Sequence, residues 1–330
     1  NLEKLLLEVK EINDNDPITY FEILTAAFFY NARNFKNNIN IVEAGLFHRF
    51  DATNIIKSNI ASIVTPIGLD HLDWLPKNEQ NINKIIFEKT SSLLNSKIII
   101  SKQVSTEISK TIERTIKDNN SKKIFFSRDY NYSLKENGFF YYEDKFGGIK
   151  LPAPNLHGEF QLSNIATAIA TVREVINKNI KTENIKKGIT KIKSIARLQE
   201  IKKGKIKQLV KNNKILVDGS HNPLGASVLA DYLSKIPGRK HIILGMMKNK
   251  DHLNYINFLK DKVFSITTID IPNQPNSIKG LDLQKKLIHF DNVKSGKSIK
   301  EAIVSLDLKD NDVILITGSL YLAGEVLNQN

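Results

Sequence analysis

The chain has 330 residues, of which 41% are hydrophobic and 25% are charged, and it contains no cysteine. This length is enough for two domains of ordinary size, and the composition is that of a soluble globular protein. The absence of cysteine excludes disulfides, thiolate nucleophiles and cysteine-ligated zinc, and it is compatible with a reducing compartment. No apolar run approaches the ~18 residues of a membrane-spanning helix. We therefore expect a cytoplasmic protein without a membrane partner.

The net charge of the chain is +13, from 48 Lys and Arg residues against 35 Asp and Glu residues. Such an excess can attract polyanions, including nucleic acids, nucleotides and acidic tails. The basic residues are dispersed rather than grouped in a patch, and no nucleic-acid-binding motif accompanies them. The simpler explanation is a composition rich in Lys, Asn and Ile throughout. We favour it and expect no nucleic-acid partner.

The first part of the chain alternates short apolar runs with amphipathic windows. The apolar runs predict strands, and the amphipathic windows predict helices. The predicted strands cover residues 39–43, 62–66, 97–101 and 123–127, and the predicted helices cover 81–94 and 106–119. Alternation of this kind is typical of a parallel sheet covered by helices.

The pattern changes between residues 130 and 150, where an aromatic-rich stretch followed by Gly147-Gly148 predicts an antiparallel hairpin. A helix is predicted at 162–177, and the basic segment 186–196 is a candidate hinge. A second α/β series follows, with strands predicted at 215–218, 241–245, 264–270 and 312–318. We therefore predict two α/β domains, residues 1–194 and 195–330. Ligands of such sheets bind beyond the carboxyl ends of the strands.

Two candidate metal ligands follow predicted strands of the first domain. Glu43 ends the strand at 39–43, and His71 follows the strand at 62–66. A carboxylate and an imidazole at one sheet edge could share a divalent cation. Equally, Glu43 could cap a helix and His71 could be a solvated loop residue. Asp70 could orient the imidazole or satisfy local backbone amides, and for Asp73 we favour the second role.

The string ILVDGSHNPLGA at residues 215–226 is the most informative local segment. Asp218 at a strand end could accept hydrogen bonds from ribose hydroxyls, and the N-terminus of the following helix attracts phosphate. Alternatively, Ser220 or Asn222 could simply cap that helix. Both interpretations can hold at once.

Lys89 lies in the helix predicted at 81–94, where a lysine is ordinarily solvated. Its ammonium group cannot bind a metal, and only conversion to a carbamate would make it an oxygen donor. A phosphate-binding loop of the form G-x-x-x-x-G-K-[ST] is absent from the 330 residues. A complete nucleotide site is therefore not encoded in these residues.

Several strings together resemble one family. TYFEILTAAFFY (19–30), VEAGLFHRFDATN (42–54), IVTPIGLDHLDWL (63–75), FEKT (87–90), HGEFQLSNIATA (157–168), RLQ (197–199), ILVDGSHNP (215–223), GMMKNKD (245–251) and ITGSLYLAGEV (316–326) occur in the order found in folylpolyglutamate and dihydrofolate synthases. These enzymes belong to the Mur ligase superfamily. The resemblance covers nearly the whole chain, and the combination of FDATN, LDH and DGSHNP makes it specific.

The resemblance implies an α/β fold with two parts: a Mur-ligase-type central ATPase domain with a parallel sheet, and a Rossmann-like C-terminal domain. The N-terminal part of the first domain, with the phosphate loop, would precede residue 1. The implied activity is ATP-dependent addition of L-glutamate to dihydropteroate or a folate through an acyl phosphate, with Mg²⁺. The implied partners are these small molecules, and relatives favour a monomer.

The resemblance also implies roles for individual residues. Glu43 and His71 match protein ligands of the catalytic Mg²⁺, and Lys89 matches a lysine that is carbamylated in relatives. The residues matched to ATP binding are Asn164, Arg197, Asp218 and His221. The residues matched to pterin binding are Thr19, Tyr20, Phe21 and Glu22 in one segment, and Phe50, Asp51 and Ala52 in another.

The chain departs from the family pattern at two places. Phe47-His48 stands where relatives usually have Gly-Gly, so we expect a reshaped pterin pocket. Thr90-Ser91 replaces the usual Ala-Gly after the carbamylated lysine, and the spacing from His71 to Lys89 is slightly long. Two alternatives remain beside the folate-type ligase: another amino-acid ligase of the superfamily, and a non-catalytic folate- or nucleotide-binding protein. We expect the 330 residues alone to lack ligase activity, because they hold only part of the phosphate cradle.

Overall fold

The computed structural model describes residues 1–135, 138–176 and 180–330. The chain folds into two compact units. Unit 1 comprises residues 1–67 and 74–125, and unit 2 comprises residues 68–73 and 126–330. The short segment 68–73 thus belongs to unit 2, although its chain neighbours on both sides belong to unit 1.

Unit 1 contains a three-stranded parallel sheet in the order β1-β2-β3, and four helices. The strands are β1 (Ala61–Val64), β2 (Lys97–Ile100) and β3 (Lys122–Phe125); the helices are α1 (Leu2–Ile12), α2 (Tyr20–Ala32), α3 (Ile82–Thr90) and α4 (Thr106–Thr115). Polar residues fix the starts of the helices, since Asn81 accepts a hydrogen bond from the Lys84 amide and Ser105 accepts one from the Ile108 amide. The strands and helices predicted between residues 62 and 127 are confirmed, with ends shifted by no more than four residues.

The strand predicted at 39–43 is wrong. Residues 37–44 have no regular structure, and Ile39 and Ile41 are 61% and 90% exposed. A strand needs a neighbour to receive its backbone hydrogen bonds. In the described part of unit 1, β1 pairs only with β2, so the opposite edge of β1 has no partner strand there. The apolar pattern favours a strand, but no ladder is present for it among the described residues.

Unit 2 is built on a six-stranded sheet in the order β11-β10-β9-β12-β8-β7. Its strands are β7 (Gln199–Glu200), β8 (Lys214–Val217), β9 (Lys240–Leu244), β10 (Ser265–Thr268), β11 (Val293–Ser295) and β12 (Val313–Thr317). All pairs are parallel except β7 with β8. The helices that follow are α7 (Pro223–Ser234), α8 (His252–Leu259), α9 (Gly280–Lys286), α10 (Ile299–Val304) and α11 (Leu320–Gln329).

The central strand β12 shows why this sheet is parallel and covered on both faces. Every residue of its sequence VILIT is buried. Val313 and Leu315 pack into one hydrophobic cluster, whereas Ile314 and Ile316 pack into another. Alternate side chains of a strand point to opposite faces, so a continuous apolar run indicates helices on both sides. The four strands predicted in this part of the chain are confirmed.

Unit 2 also contains the predicted antiparallel element, which is a three-stranded sheet of β4 (Tyr130–Leu134), β5 (Phe140–Asp144) and β6 (Ile149–Leu151). The helix α5 (Phe160–Ile176) packs against β4 and β5. It confirms the helix predicted at 162–177, of which residue 177 lies outside the described residues. The helix α6 (Thr182–Thr190) follows and takes up the first part of the candidate hinge. None of the helices in the described ranges is long and apolar enough to cross a membrane.

Candidate active site

The turn between β8 and α7 lies at the carboxyl edge of the six-stranded sheet and carries Asp218, Ser220, His221 and Asn222. Asn222 is the N-cap of α7, because its Oδ1 accepts a hydrogen bond of 2.8 Å from the Gly225 amide. Of the two predicted caps, Asn222 is therefore the one that forms. The other three residues, Asp218, Ser220 and His221, form the turn directly before the N-terminus of α7, which is the positive end of the helix dipole.

Arg197 lies in a neighbouring loop with an unusual backbone. The residues on both sides of it, Ala196 and Leu198, have φ angles of 54° and 48°. This left-handed conformation costs a non-glycine residue about 1–3 kcal/mol and persists only where surrounding contacts impose it. Arg197 is exposed as a residue, and its Nη1 atom donates a hydrogen bond of 3.3 Å to the Ala196 carbonyl, so this strained loop carries a positive charge at the protein surface.

The contacts that impose this conformation come from the Asp218 turn. Oδ2 of Asp218 accepts a hydrogen bond of 2.8 Å from the Leu198 amide, and the Gly219 amide donates one of 2.8 Å to the Ala196 carbonyl. Oδ1 of Asp218 accepts a further bond of 2.8 Å from the Ser220 amide. Asp218 therefore holds its own turn and the Arg197 loop together.

Asp218 is 3% exposed, and this burial raises its pKa, although the Ser220 and Leu198 amides and the charge of Arg197 oppose the shift. A second layer of hydroxyl groups supports the turn from below. The Tyr255 hydroxyl lies 2.9 Å from Ser220 Oγ and 2.9 Å from Thr317 Oγ1. These contacts tie the turn to α8 and to the end of β12.

His221 and Asn164 complete the predicted ATP residues of unit 2. The Nδ1 atom of His221 lies 3.0 Å from the Gly219 carbonyl, and burial lowers the pKa of the imidazole. Asn164 is exposed on α5, and its amide donates to Gln161 Oε1 at 3.1 Å. Among the described contacts of unit 2, Arg197, Asp218 and His221 form one group, and no hydrogen bond joins Asn164 to it.

Asp70 is the centre of a second polar group in unit 2. Its carboxylate accepts hydrogen bonds from Asn222 Nδ2 at 2.7 Å and from Lys250 Nζ at 3.0 Å. Its Oδ2 also lies 3.7 Å from His71 Nε2 and 3.8 Å from His221 Nε2. Burial opposes ionisation of Asp70, but the bond from Asn222 and the charges of His71 and Lys250 outweigh it and lower its pKa to about 2. Asp70 is therefore an anion between two predicted functional histidines.

In unit 1 the structure brings Lys89 next to the departure from the family pattern. Lys89 lies in the last turn of α3, and its Nζ is 5.8 Å from the centroid of the Phe47 ring. Burial lowers the pKa of His48, and the nearby charges of Asp51 and Lys89 act on it in opposite directions. Phe47 itself has a φ of 54°, a conformation that glycine would adopt without strain. The two residues that depart from the family pattern, Phe47 and His48, thus lie beside Lys89.

The first predicted pterin segment begins α2. Thr19 and Glu22 form a capping box, in which each side chain binds the backbone amide of the other. The Phe21 ring packs so closely on Gly45 that a Cβ atom there would lie 2.5 Å from it. Tyr20 is 81% exposed. Tyr20 and Phe21 are thus the members of this segment whose side chains are not committed to capping.

The second predicted pterin segment surrounds Asp51. Its carboxylate accepts hydrogen bonds from the Leu46 amide at 2.7 Å and from the Thr53 amide at 3.0 Å. These bonds close the loop of residues 46–53 and cap the short 3₁₀ turn that begins at Ala52. The Phe50 ring is 84% exposed, with the Arg49 guanidinium 4.2 Å from its centroid. Phe50 is therefore an aromatic surface beside a loop of fixed shape.

The predicted metal ligands lie in different units, Glu43 in unit 1 and His71 in unit 2, so their shared site stays a prediction. Within the described residues, no group of three or more His, Asp and Glu side chains is arranged to hold a metal. Glu43 is an exposed carboxylate, an oxygen donor of the kind that Mg²⁺ binds, whereas the imidazole of His71 is a nitrogen donor that Mg²⁺ favours less. His71 has a φ of 57°, a left-handed backbone conformation that is uncommon for residues other than glycine.

Sequence reasoning did not identify Lys250 or Tyr255 as parts of the site. Lys250 lies in the string GMMKNKD, which carried the resemblance without an assigned role. That string could have indicated it. Tyr255 lies on the buried face of α8 and had no local signal.

Comparison with known proteins supports the family resemblance. The model of the Mur ligase, glutamate ligase domain matches residues 196–320. The dihydrofolate synthase/folylpolyglutamate synthase of Escherichia coli (strain K12) is 26% identical over 325 residues, which are 97% of this chain and 71% of that protein. The enzyme of the same name from Buchnera aphidicola subsp. Acyrthosiphon pisum is 28% identical over 317 residues, which are 94% of this chain and 72% of that protein.

Solved structures agree with these relatives. The E. coli FolC structure in complex with DHPP and ADP has a TM-score of 0.84 at 26% identity, covering 98% of this chain and 74% of that one. The bifunctional folylpolyglutamate synthase/dihydrofolate synthase from Yersinia pestis, complexed with AMPPNP and Mn ion, has a TM-score of 0.84 at 20% identity, covering 99% and 75%. The predicted fold class is confirmed. The predicted domain boundary near residue 195 stays a prediction. The division into compact units does not separate the chain there, and residues 126–330 fall within one unit.

Proposed function

We propose that this chain, a homologue of the dihydrofolate synthase/folylpolyglutamate synthases that carries a Mur ligase glutamate ligase domain, is an ATP-dependent ligase that joins L-glutamate to dihydropteroate or to a folate. The observation that carries the proposal is the Arg197–Asp218 arrangement. A strained loop that presents a cation, locked to a turn at a helix N-terminus, suits a bound polyphosphate.

The reaction has two balanced steps. An oxygen of the acceptor carboxylate attacks the γ-phosphorus of ATP, and ADP leaves, which gives an acyl phosphate. The amine nitrogen of glutamate then attacks the activated carbonyl carbon, loses a proton, and displaces inorganic phosphate as the amide forms. Mg²⁺, when bound, would neutralise phosphate oxygens. The protein contributes mainly position and charge.

We assign the nucleotide to the residues of unit 2. Arg197 offsets phosphate charge, and Asp218 keeps Arg197 in place through the Leu198 amide. A free ribose hydroxyl could still donate to Asp218, because a carboxylate oxygen accepts more than one hydrogen bond. Burial lowers the pKa of His221, and the neutral imidazole donates through Nδ1 to the Gly219 carbonyl, so its Nε2 can accept one hydrogen bond without adding charge. Asn164 would contact the adenosine part of the nucleotide.

We assign the acceptor and the cation to residues of unit 1 and to His71. Tyr20, Phe21 and Phe50 supply aromatic surface for a pterin ring. Thr19, Glu22, Asp51 and Ala52 act on that surface indirectly, by fixing the start of α2 and the 46–53 loop. Glu43 and His71 are the proposed protein ligands of Mg²⁺. Lys89 acts there either as a carbamate or as the ammonium group beside Phe47.

The remaining parts of the proposal concern location and assembly. ATP, glutamate and a pteroate or folate are the proposed small-molecule partners, without nucleic acid or membrane. A monomer is proposed because relatives favour one, and a cytoplasmic location is compatible with a chain that contains no cysteine.

The test is ATP-dependent incorporation of labelled L-glutamate, with dihydropteroate and a folate as separate acceptors. The protein encoded by the complete reading frame should incorporate glutamate with at least one acceptor, and Arg197→Ala should lower the rate by about 10²–10³-fold, as expected when one charge-stabilising donor is lost. Arg114→Ala is the control, because Arg114 is an exposed arginine on α4 whose side-chain partners among the described residues are Glu107 and Thr111 of the same helix. Nucleotide binding without incorporation for either acceptor would contradict the proposed reaction.

A further inference from the structure

The segment 68–73 is attached to unit 2 by contacts that converge on one side chain. Asp70 binds Asn222 and Lys250, which lie 152 and 180 residues further along the chain. Asp70 and Lys250 are both largely buried, with side-chain exposures of 18% and 13%. Charge-assisted hydrogen bonds of this kind are stronger than exposed ion pairs, because water does not compete fully for either partner.

The geometry around Asp70 leaves little freedom. Oδ1 of Asn222 is committed to the Gly225 amide as the cap of α7, so its Nδ2 must point the other way, toward Asp70. Oδ1 of Asp70 also accepts a hydrogen bond of 2.9 Å from the backbone amide of His71. A Cβ atom at Gly68 would lie 2.9 Å from Leu224, so the segment lies directly on the first turn of α7.

We infer that Asp70 is a positioning residue for both histidines of the site: it fixes the left-handed backbone at His71 and binds that segment to the His221–Asn222 turn. The left-handed conformation of His71 needs imposed contacts, and the hydrogen bond of its amide to Asp70 is one of them. The same carboxylate faces the Nε2 atoms of His71 and His221 at 3.7 and 3.8 Å. No catalytic step is assigned to Asp70 itself.

The inference separates Asp70 from Asp73, which lies three residues away. Asp73 is exposed and accepts one hydrogen bond of 3.2 Å, from Asn249. Replacement of Asp70 by Asn keeps the size of the side chain but turns one acceptor into a donor. The amide can then no longer accept from both Asn222 and Lys250. Asp73→Asn is therefore the matched control.

Hydrogen exchange of the complete chain tests the contact without any assumption about activity. Asp70→Asn should speed amide exchange about 10- to 100-fold in peptides covering 68–73 and 219–223, since a hydrogen bond to a charged group is lost. Asp73→Asn should leave residues 219–223 unchanged. Lys250→Met should speed exchange in the same peptides as Asp70→Asn, and the double variant should add little to either single variant. Lys248→Met is the control in the same loop, because the Lys248 Nζ contacts only the Pro275 carbonyl among the described residues, and it should leave exchange in these peptides unchanged.

A second readout rests on the proposed function. In the active protein encoded by the complete reading frame, Asp70→Asn should raise the Mg²⁺ concentration for half-maximal rate several-fold, whereas Asp73→Asn should not. Faster exchange with unchanged Mg²⁺ dependence would reduce Asp70 to a structural contact and overturn the positioning role. Unchanged exchange at 219–223 would overturn the contact itself. If no variant or parent forms product, the ligase proposal fails, while the exchange data still decide the contact.

Discussion

Replacement of Asp218 should weaken nucleotide binding through the Arg197 loop as well as through any direct contact. Oδ2 of Asp218 binds the Leu198 amide, Oδ1 binds the Ser220 amide, and the side chain is 3% exposed. Asp218→Ala removes both acceptors and leaves two amide donors without partners. Asp218→Asn keeps one oxygen, so it removes only one of the two bonds.

The magnitude follows from the number of unpaired donors. Each buried donor without a partner costs about 1–3 kcal/mol. The Arg197 loop can relieve this cost by leaving its left-handed conformation at Ala196 and Leu198, which releases strain as well. If only the held loop binds ATP, Asp218→Ala should weaken ATP binding by about 10- to 100-fold, since about 1.4 kcal/mol corresponds to a factor of ten. Asp218→Asn should lose about half of that free energy.

Isothermal titration calorimetry with a non-hydrolysable ATP analogue measures the affinity, and hydrogen exchange at Leu198 measures the loop. Asp261→Asn is the control, because Asp261 is an exposed carboxylate of the same unit in the 3₁₀ turn after α8. The loss of ATP affinity and the acceleration of exchange at Leu198 should both be largest for Asp218→Ala, smaller for Asp218→Asn and absent for Asp261→Asn. An ATP affinity within about two-fold of the parent for Asp218→Ala would refute the reasoning. Weaker binding with normal exchange at Leu198 would show that Asp218 acts on ATP directly and not through the loop.

Three further predictions concern stability and specificity. Asp312 is 2% exposed, and the hydrogen bonds from Arg239, the Lys309 amide and His241 outweigh its burial and hold its pKa well below the usual range. Its stabilisation is therefore fully present above about pH 4 and is lost progressively as the pH falls toward the lowered pKa, so the free energies of unfolding of the parent and Asp312→Asn, measured with urea, should differ by about 3 kcal/mol at pH 7, and this difference should be smaller, without vanishing, at pH 3. Phe47→Gly should have a higher thermal midpoint than Phe47→Ala, because both variants lose the ring and only glycine relieves the left-handed strain, and both should change the KM of the pterin acceptor. Thr19→Ala should destabilise α2 by about 1 kcal/mol, measured by faster amide exchange in residues 20–24. Thr106→Ala is the control, because Ser105 and not Thr106 caps α4, and it should not destabilise α4.

Much of the architecture could be predicted from the sequence because its causes are local. A continuous apolar run such as VILIT at β12 indicates a strand buried on both faces, whatever its neighbours are. Ser220 and Asn222 predicted the start of α7 as alternative caps, because capping depends on a residue and the amides two or three positions later, and Asn222 forms the cap. The same locality predicted that Asp218 would end a strand beside a helix N-terminus, the geometry on which the nucleotide proposal rests.

Tertiary structure decided the features whose causes lie far apart in the chain. The run at 39–43 has strand-forming residues, but a strand requires a neighbouring ladder, and the described part of unit 1 offers none there. Asp218 looked like a free ligand, and only the fold brings the Leu198 amide to it. The sequence left both possible roles of Asp70 open, because its partners Asn222 and Lys250 are distant in sequence. A side chain's chemistry sets what it can bind; only the folded chain sets which buried donors it must satisfy.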